Sequence, residues 1–293
     1  MLWPMDRHPP ALVIRDVRRR FDRAASRFDA ADFVHRVTFH ELLQRLAPIK
    51  INPQRIVDLG CATGSGSKPL VQRFRGSRVI SLDASFAMLQ CAARKKSLFS
   101  RRPAIQADAS RIPLKDGSVD LVFANMLLPW IDDLPRCLAE VARITRKDGM
   151  FAFATLGPDS LLELRQAWQS VDDDWHVNAF PDMHDIGDAL VRAGLRDPVL
   201  DVDYLTVTYR GADALYRDLT SVGARNSLHG RKKSLTGKKR FRAMVQLLEA
   251  GMAEGVLSFR LELVYGHAWS AGPRPPEGEF RFDPARITRR QHA

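Results

Sequence analysis

An α/β fold, a parallel sheet with helices on both faces, is predicted from three features of the chain. Short apolar strands alternate with helices through residue 155, and the links between them are short. A turn of small residues, Gly60-Cys61-Ala62-Thr63-Gly64-Ser65-Gly66, joins the first strand to the helix after it. An acid, Asp83, closes the second strand. Ligands of such sheets bind outside the carboxyl ends of the strands, and both features sit at such ends.

The elements follow in order. Residues 16–46 read as helix, because Phe21, Ala24, Ala25, Phe28, Ala31 and Phe33 recur near helical spacing with arginines on the other face. A break at 49–53 precedes a strand at 55–59, and a helix at 68–74 follows the small-residue turn. A second strand covers 78–83, a helix 86–96, and a third strand 104–108. The fourth strand, 119–123, runs into Ala124-Asn125, and a helix spans 134–144. A turn at 147–149 then leads into a fifth strand at 150–155. The second half is less regular: helices are expected at 161–171, 183–193, 213–222 and 240–253, and strands at 199–209 and 256–269. If both strands join the sheet, residues 210–255 are an inserted helical cap. From 270 onward Pro, Gly and Arg dominate, the composition of a disordered tail.

Composition narrows the function. The 293 residues are 45% hydrophobic and 27% charged, enough to bury a core without disulfides or a structural metal. No apolar run approaches the ~20 residues a membrane helix needs. Cys61, Cys91 and Cys137 form no close pair, which excludes a disulfide framework and a CxxC site and fits a reducing compartment such as the cytoplasm. Residues 1–10 lack the apolar segment of a secretory signal, and Asp6, Asp16 and Asp22 argue against a mitochondrial presequence. A formal charge of +11 predicts an acidic partner. The histidine spacings match no metal motif, Asp172-Asp173-Asp174 reads as a solvated loop, and no metal is expected.

The first turn carries the chemistry. Gly60 and Gly64 let the backbone turn tightly and approach a ligand. The spacing is not GxGxxG, and Asp58, two residues before the first glycine, would repel a pyrophosphate. The same acid suits a ligand with an ammonium group and no phosphate, such as S-adenosyl-L-methionine. Asp83 can accept hydrogen bonds from two ribose hydroxyls. Asp108, with the backbone of Ala109, can recognise an adenine edge. Asn125 ends the fourth strand facing the same crevice.

These motifs resemble those of class I S-adenosylmethionine-dependent methyltransferases, with Ala62 where a glycine is common. The resemblance covers about 50–160 and implies a Rossmann-like, seven-stranded sheet ending in a reversed strand. The cofactor-binding set it implies is Asp58, Gly60, Cys61, Gly64, Asp83, Ala84, Asp108, Ala109 and Asn125. A narrower resemblance, to the malonyl-carrier-protein O-methyltransferases of biotin synthesis, rests on Phe21-Asp22-Arg23-Ala24-Ala25-Ser26-Arg27-Phe28-Asp29, on 125–130 and on 155–168. In that family a tyrosine usually stands at Phe28. The same stretches resemble mitochondrial complex I assembly factors of this fold, which act as arginine hydroxylases or as non-catalytic scaffolds.

The resemblance implies a helical segment at 1–48 over the cofactor site, a cofactor-binding core at 49–209, a cap at 210–255, a last strand at 256–269 and a basic tail at 270–293. The reaction it implies is attack of a malonyl thioester's free carboxylate on a sulfonium methyl. That carboxylate is ionised at neutral pH, so no general base is required. An arginine should hold it, and Arg165 and Arg225 are the candidates. Trp130 is expected to wall the pocket, and Phe28 to keep a ring contact there. Residues 210–242 hold ten Lys/Arg against two Asp/Glu, a surface suited to an acidic acyl carrier protein. Nucleic acid is the competing partner for that charge, but no Asn/Asp-Pro-Pro-aromatic motif follows the fourth strand. Methylation of another small acid or of RNA is the remaining alternative. The chain is expected to act as a monomer in the cytoplasm, or in mitochondria if it is of the assembly-factor kind.

Overall fold

The computed structural model describes residues 10–95, 103–231 and 236–273. Most of the tail expected from residue 270 therefore lies outside the described residues, as do Lys232 and Lys233 of the basic stretch.

The inner strands are near-continuous apolar runs because helices bury both faces of the sheet. Strands β1 (Arg55–Leu59), β2 (Arg78–Asp83), β3 (Ala104–Gln106), β4 (Val119–Asn125) and β5 (Thr145–Leu156) are parallel. Two long strands, β6 (Leu195–Tyr209) and β7 (Leu257–Ser270), complete a seven-stranded sheet of order β3-β2-β1-β4-β5-β7-β6. Strand β7 runs antiparallel to both of its neighbours. The reversed strand is thus present, inserted between β5 and β6 rather than at the edge.

Alternate residues feed two cores. Ile56, Leu121 and Phe123 pack toward α3 (Phe33–Arg45), α4 (Ser67–Arg73), α7 (Leu162–Gln169), α9 (Ala212–Ser221) and α10 (Lys238–Ala250). Val57, Val122, Phe151 and Phe153 pack on the other face against α6 (Leu134–Ile144) and α8 (Met183–Ala193). Helices α9 and α10 lie between β6 and β7 in chain order.

Two expectations are corrected. The single helix over 16–46 is three pieces: α1 (Ile14–Ala24), α2 (Phe28–Ala31) and α3. One straight helix of that length would reach on the order of 45 Å. Breaks around Arg27 and at Asp32 let the segment follow the edge of the sheet and bury both Phe28 and Phe39. A third, small core results, in which Ala24, Ala25 and Phe28 meet Met88 of α5 (Phe86–Arg94) and Val222 beyond α9. The turn expected at 147–149 is absorbed into β5 as an irregularity: Thr145 pairs with Val119, and Met150 with Leu121. Asp148 takes the strain of this bulge with φ +59°.

Gly266 shows how tightly the reversed strand is fitted. It pairs with Phe153, and a Cβ added there would lie 2.4 Å from the Phe153 ring. Gly266→Ala should therefore lower the unfolding free energy by about 2 kcal/mol, measured by urea denaturation. Pairing it with Phe153→Leu should recover part of the loss.

Candidate functional site

The crevice begins where β1 ends. Gly60 and Gly64 both have φ +74°, and Ala62 between them has φ +45°, a left-handed conformation that is uncommon for a residue with a Cβ. A Cβ on Gly64 would come within 2.8 Å of Ala92 Cβ, and one on Gly60 within 3.0 Å of Leu127. The turn is thus fixed between α5 and the segment after β4. Asp58 lies buried beneath it and accepts a 2.6 Å hydrogen bond from Ser67 Oγ, so its charge acts from under the turn rather than from the open crevice. Cys61 is also buried. Burial, with Asp58 and Asp83 nearby, pushes its thiol well up, which leaves it unreactive at neutral pH.

Asp83 stands beside this turn. Its carboxylate accepts from the backbone N–H groups of Ala62 (2.9 Å) and Ser85 (2.8 Å), and each oxygen keeps a lone pair for a ligand. Burial pushes its pKa up to about 6, against the pull of those two N–H groups. Ala84 follows it, and its carbonyl accepts from Gln106. Asp108 is exposed past the end of β3 and accepts from Ser110 N–H, while Ala109 is buried behind it. Asn125 donates from Nδ2 to the His35 carbonyl, which ties β4 to α3. Its buried Oδ1 accepts no hydrogen bond from the described residues.

The N-terminal segment is strapped over these turns by Asp22 and Asp29, two residues that the sequence analysis did not single out. Asp22 accepts from Ser85 Oγ and Ala87 N–H. Asp29 accepts from Thr63 and Ser65, and pairs with Lys95 at 2.5 Å. Burial raises its pKa, but the hydrogen bonds from Lys95, Thr63 and Ser65 outweigh that and hold it below the usual carboxylate range. Acids spaced seven apart on one helical face, opposite serines and threonines of the turns, were the available signal.

Beside the crevice lies a chamber of about 330 Å³. Its inner end is formed by His35, Met126, Pro129 and Trp130, next to Asn125. Its walls are apolar and aromatic: Leu164 and Trp168 of α7, Trp175, Phe180, Tyr216 of α9 and Phe241 of α10. Trp130 meets Phe21 edge to face at 5.2 Å. Burial lowers the His35 pKa to about 4, so this imidazole is neutral at physiological pH. Arg20, Arg225 and Arg231 also line the chamber.

The predicted substrate residues divide. Trp130 and Arg225 line the chamber. Arg165 does not: its guanidinium is turned to the carbonyls of Pro158 and Ser160 and supports the loop after β5. Phe28 is not a chamber wall either. It packs beneath Ala62 and meets His35 edge to face at 4.9 Å, a contact on the cofactor side. The loop read as solvated at 172–174 is also different. The Asp172 side chain is only 11% exposed, bonded to His176 at 2.7 Å and paired with Arg240. Ligand atoms of Asp172, Asp174 and His176 lie within 4.8 Å of one another, a grouping the sequence spacing did not suggest. His176 stacks flat on Trp168 at 3.7 Å, so the cluster backs the chamber wall. No described helix is long and apolar enough to cross a membrane.

Comparison with known proteins agrees with this geometry. Residues 57–153 match the family described as a methyltransferase domain. A malonyl-[acyl-carrier protein] O-methyltransferase of Methylovorus sp. is 42% identical over 88% of this chain and 89% of its own length. One from Gallionella capsiferriformans is 40% identical over 88% of this chain and 91% of its own. Among solved structures, a putative methyltransferase of Bacillus halodurans superposes with a TM-score of 0.57 at 15% identity, covering 80% of this chain and 99% of that one, a likeness of fold.

The residues of the crevice fit S-adenosylmethionine: a turn in which Gly60 and Gly64 leave no room for a Cβ, a half-buried acid, Asp83, with free lone pairs, and an orphaned acceptor at Asn125 suited to an ammonium donor. If Asp83 binds the ribose as a carboxylate, cofactor affinity should be level above pH 6 and fall by up to about tenfold per pH unit below it. Titration calorimetry across pH 5–8 checks this. Asp83→Ala should cost about 3 kcal/mol of binding at pH 7.5.

Proposed function

The chain belongs to the malonyl-[acyl-carrier protein] O-methyltransferases, and we propose how its residues divide the labour of that reaction. It is an S-adenosylmethionine-dependent O-methyltransferase that esterifies the free carboxylate of a malonyl group carried on an acyl carrier protein. The observation that carries this reading is the adjacency of two compartments. A polar crevice with Asp83 and Asn125 meets a largely apolar chamber lined by arginine at the end of β4.

When bound, the cofactor supplies a methyl group made electrophilic by its sulfonium. The chain's own residues bind and orient. Gly60, Ala62 and Gly64 present backbone, Asp83 takes the ribose hydroxyls, Asp108 and Ala109 the adenine edge, and Asn125 Oδ1 the ammonium. Asp58 adds negative charge from beneath the turn. Ala84 contributes backbone and Cys61 fills space. Trp130 and His35 close the inner end of the chamber and keep the attacking carboxylate close to the crevice. Trp168, Trp175, Phe180 and Phe241 exclude water, which leaves the carboxylate less solvated and more nucleophilic. Arg225, at the rim, is the better placed of the two arginines predicted from sequence to hold that carboxylate. No residue needs to take a proton, because the nucleophile is already an anion.

We take residues 210–255 as a docking cap: Arg240 and Lys238 on α10, with Arg217 and Arg225 around α9, present positive charge to an acidic carrier. We also propose that the chain works as a cytoplasmic monomer.

Mass spectrometry of malonyl-carrier protein incubated with the enzyme and S-adenosylmethionine should show the gain of one methyl group, and acetyl-carrier protein should show none. Methylation of both, or of neither while cofactor still binds, would discard the acceptor. Trp130→Ala should lower kcat/KM for malonyl-carrier at least about tenfold while cofactor affinity measured by calorimetry stays unchanged.

A further inference from the structure

Three guanidiniums line one chamber, and their partners are unequal. Arg231 is ion-paired with Asp16 at 2.5 Å and is mostly buried. Arg225 donates to Thr220 Oγ1 at 2.8 Å and lies over the Tyr216 ring at 5.6 Å. Arg20 forms no ion pair among the described residues, although it is half-buried and faces the same space. Burial lowers its pKa, and the positive charges of Arg231 and Arg225 lower it further, outweighing Asp16. Asp174 also lines the chamber, so three cations face two carboxylates, Asp16 and Asp174, and one positive charge is in excess at the edge of a largely apolar cavity. A half-buried guanidinium that forms no ion pair favours an anion beside it.

We propose that Arg20, flanked by Arg225 and Arg231, is an oxyanion-binding clamp that takes a singly charged group of the substrate. The inference rests on the reading of the reaction given above and adds a residue that the sequence did not single out. Arg20 is well placed for it. Its carbonyl and the ring of its neighbour Phe21 pack against Gly223, and Phe21 in turn touches Trp130 at the inner end of the chamber. The clamp is thereby tied to both the N-terminal segment and the insertion. Arg231 positions it through Asp16, which pins α1 to the insertion. A planar guanidinium presents two parallel N–H groups, and either a carboxylate or a phosphodiester can accept both. The substrate has one oxyanion of each kind: the free carboxylate of the acyl group, and the phosphodiester that joins the thioester arm to its carrier.

The test uses Arg20→Gln in the full-length enzyme, with malonyl-pantetheine, which has no phosphate, and malonyl-phosphopantetheine. Cofactor affinity, measured by calorimetry, should be unchanged and reports an intact fold. If the clamp holds the carboxylate, kcat/KM should fall at least about tenfold with both thioesters, which corresponds to roughly 1.4 kcal/mol. If it holds the phosphodiester, the fall should be confined to the phosphorylated one. Arg20→Lys should recover part of the loss. The proposal is overturned if neither thioester is affected. Should Arg20→Gln fail to fold, Arg20→Lys, which keeps the charge but loses the paired N–H groups, takes its place and should show the same pattern with a smaller fall. Direct binding of malonyl-pantetheine by calorimetry separates the two readings: a wild-type enzyme that binds it but does not methylate it refutes the reaction, whereas equal binding by wild type and Arg20→Gln, together with unchanged binding of the phosphorylated thioester, refutes the clamp.

Discussion

Five parallel strands end along one edge of the sheet, and the backbone leaving β1 must reverse there into a helix with α5 on one side and the segment after β4 on the other. That reversal is possible only in left-handed conformations. Gly60 and Gly64 adopt them at little cost, and Ala62 adopts one at a cost of about 1 kcal/mol. Everything around the crevice is arranged on the resulting N–H groups and free space. Asp83 takes the Ala62 N–H, Asp29 the Thr63 and Ser65 hydroxyls, and Ser67 reaches down to the acid beneath the turn. A side chain at Gly64 would displace α5 and, with it, the residues that follow β2.

The parallel half of the fold was legible because the physics there is local. Each strand is a short apolar run, each turn has its small or acidic residue, and each helix has one apolar face. The boundaries of β1, β2 and α6 follow directly from the pattern of residues. The residues proposed for the cofactor could be picked out for the same reason, since they stand at strand ends that sequence order alone identifies. The breaks in the N-terminal helix were not legible. The repeat of Phe21, Ala24, Ala25 and Phe28 is helical throughout, and only the edge of the sheet, which is distant in sequence, decides where the helix must bend.

The chamber was the least legible part. Its walls come from α7, the loop after it, α9, α10 and the N-terminal segment, and no spacing in the chain links them. Arg165 looked suitable because it follows β5 on a helix, but the loop carbonyls at 158 and 160 need donors and take it. Asp172, Asp173 and Asp174 looked solvated because three adjacent acids usually are. Here the stacked pair of His176 on Trp168 and the cation of Arg240 draw Asp172 inward. In each case a contact partner far away in sequence overrode a sound local expectation.

The strapping of the first helices has a consequence for the order of events. The same segment that lies across the cofactor turns through Asp22 and Asp29 also joins the insertion, where Val13 N–H donates to Ser227 and His229 N–H donates to Ala11. Crevice and chamber therefore share one lid. Whatever steadies that lid from one side steadies it for the other, and thermodynamic reciprocity makes the effect equal in both directions. Cooperative binding of donor and acceptor is the expected consequence of that shared segment.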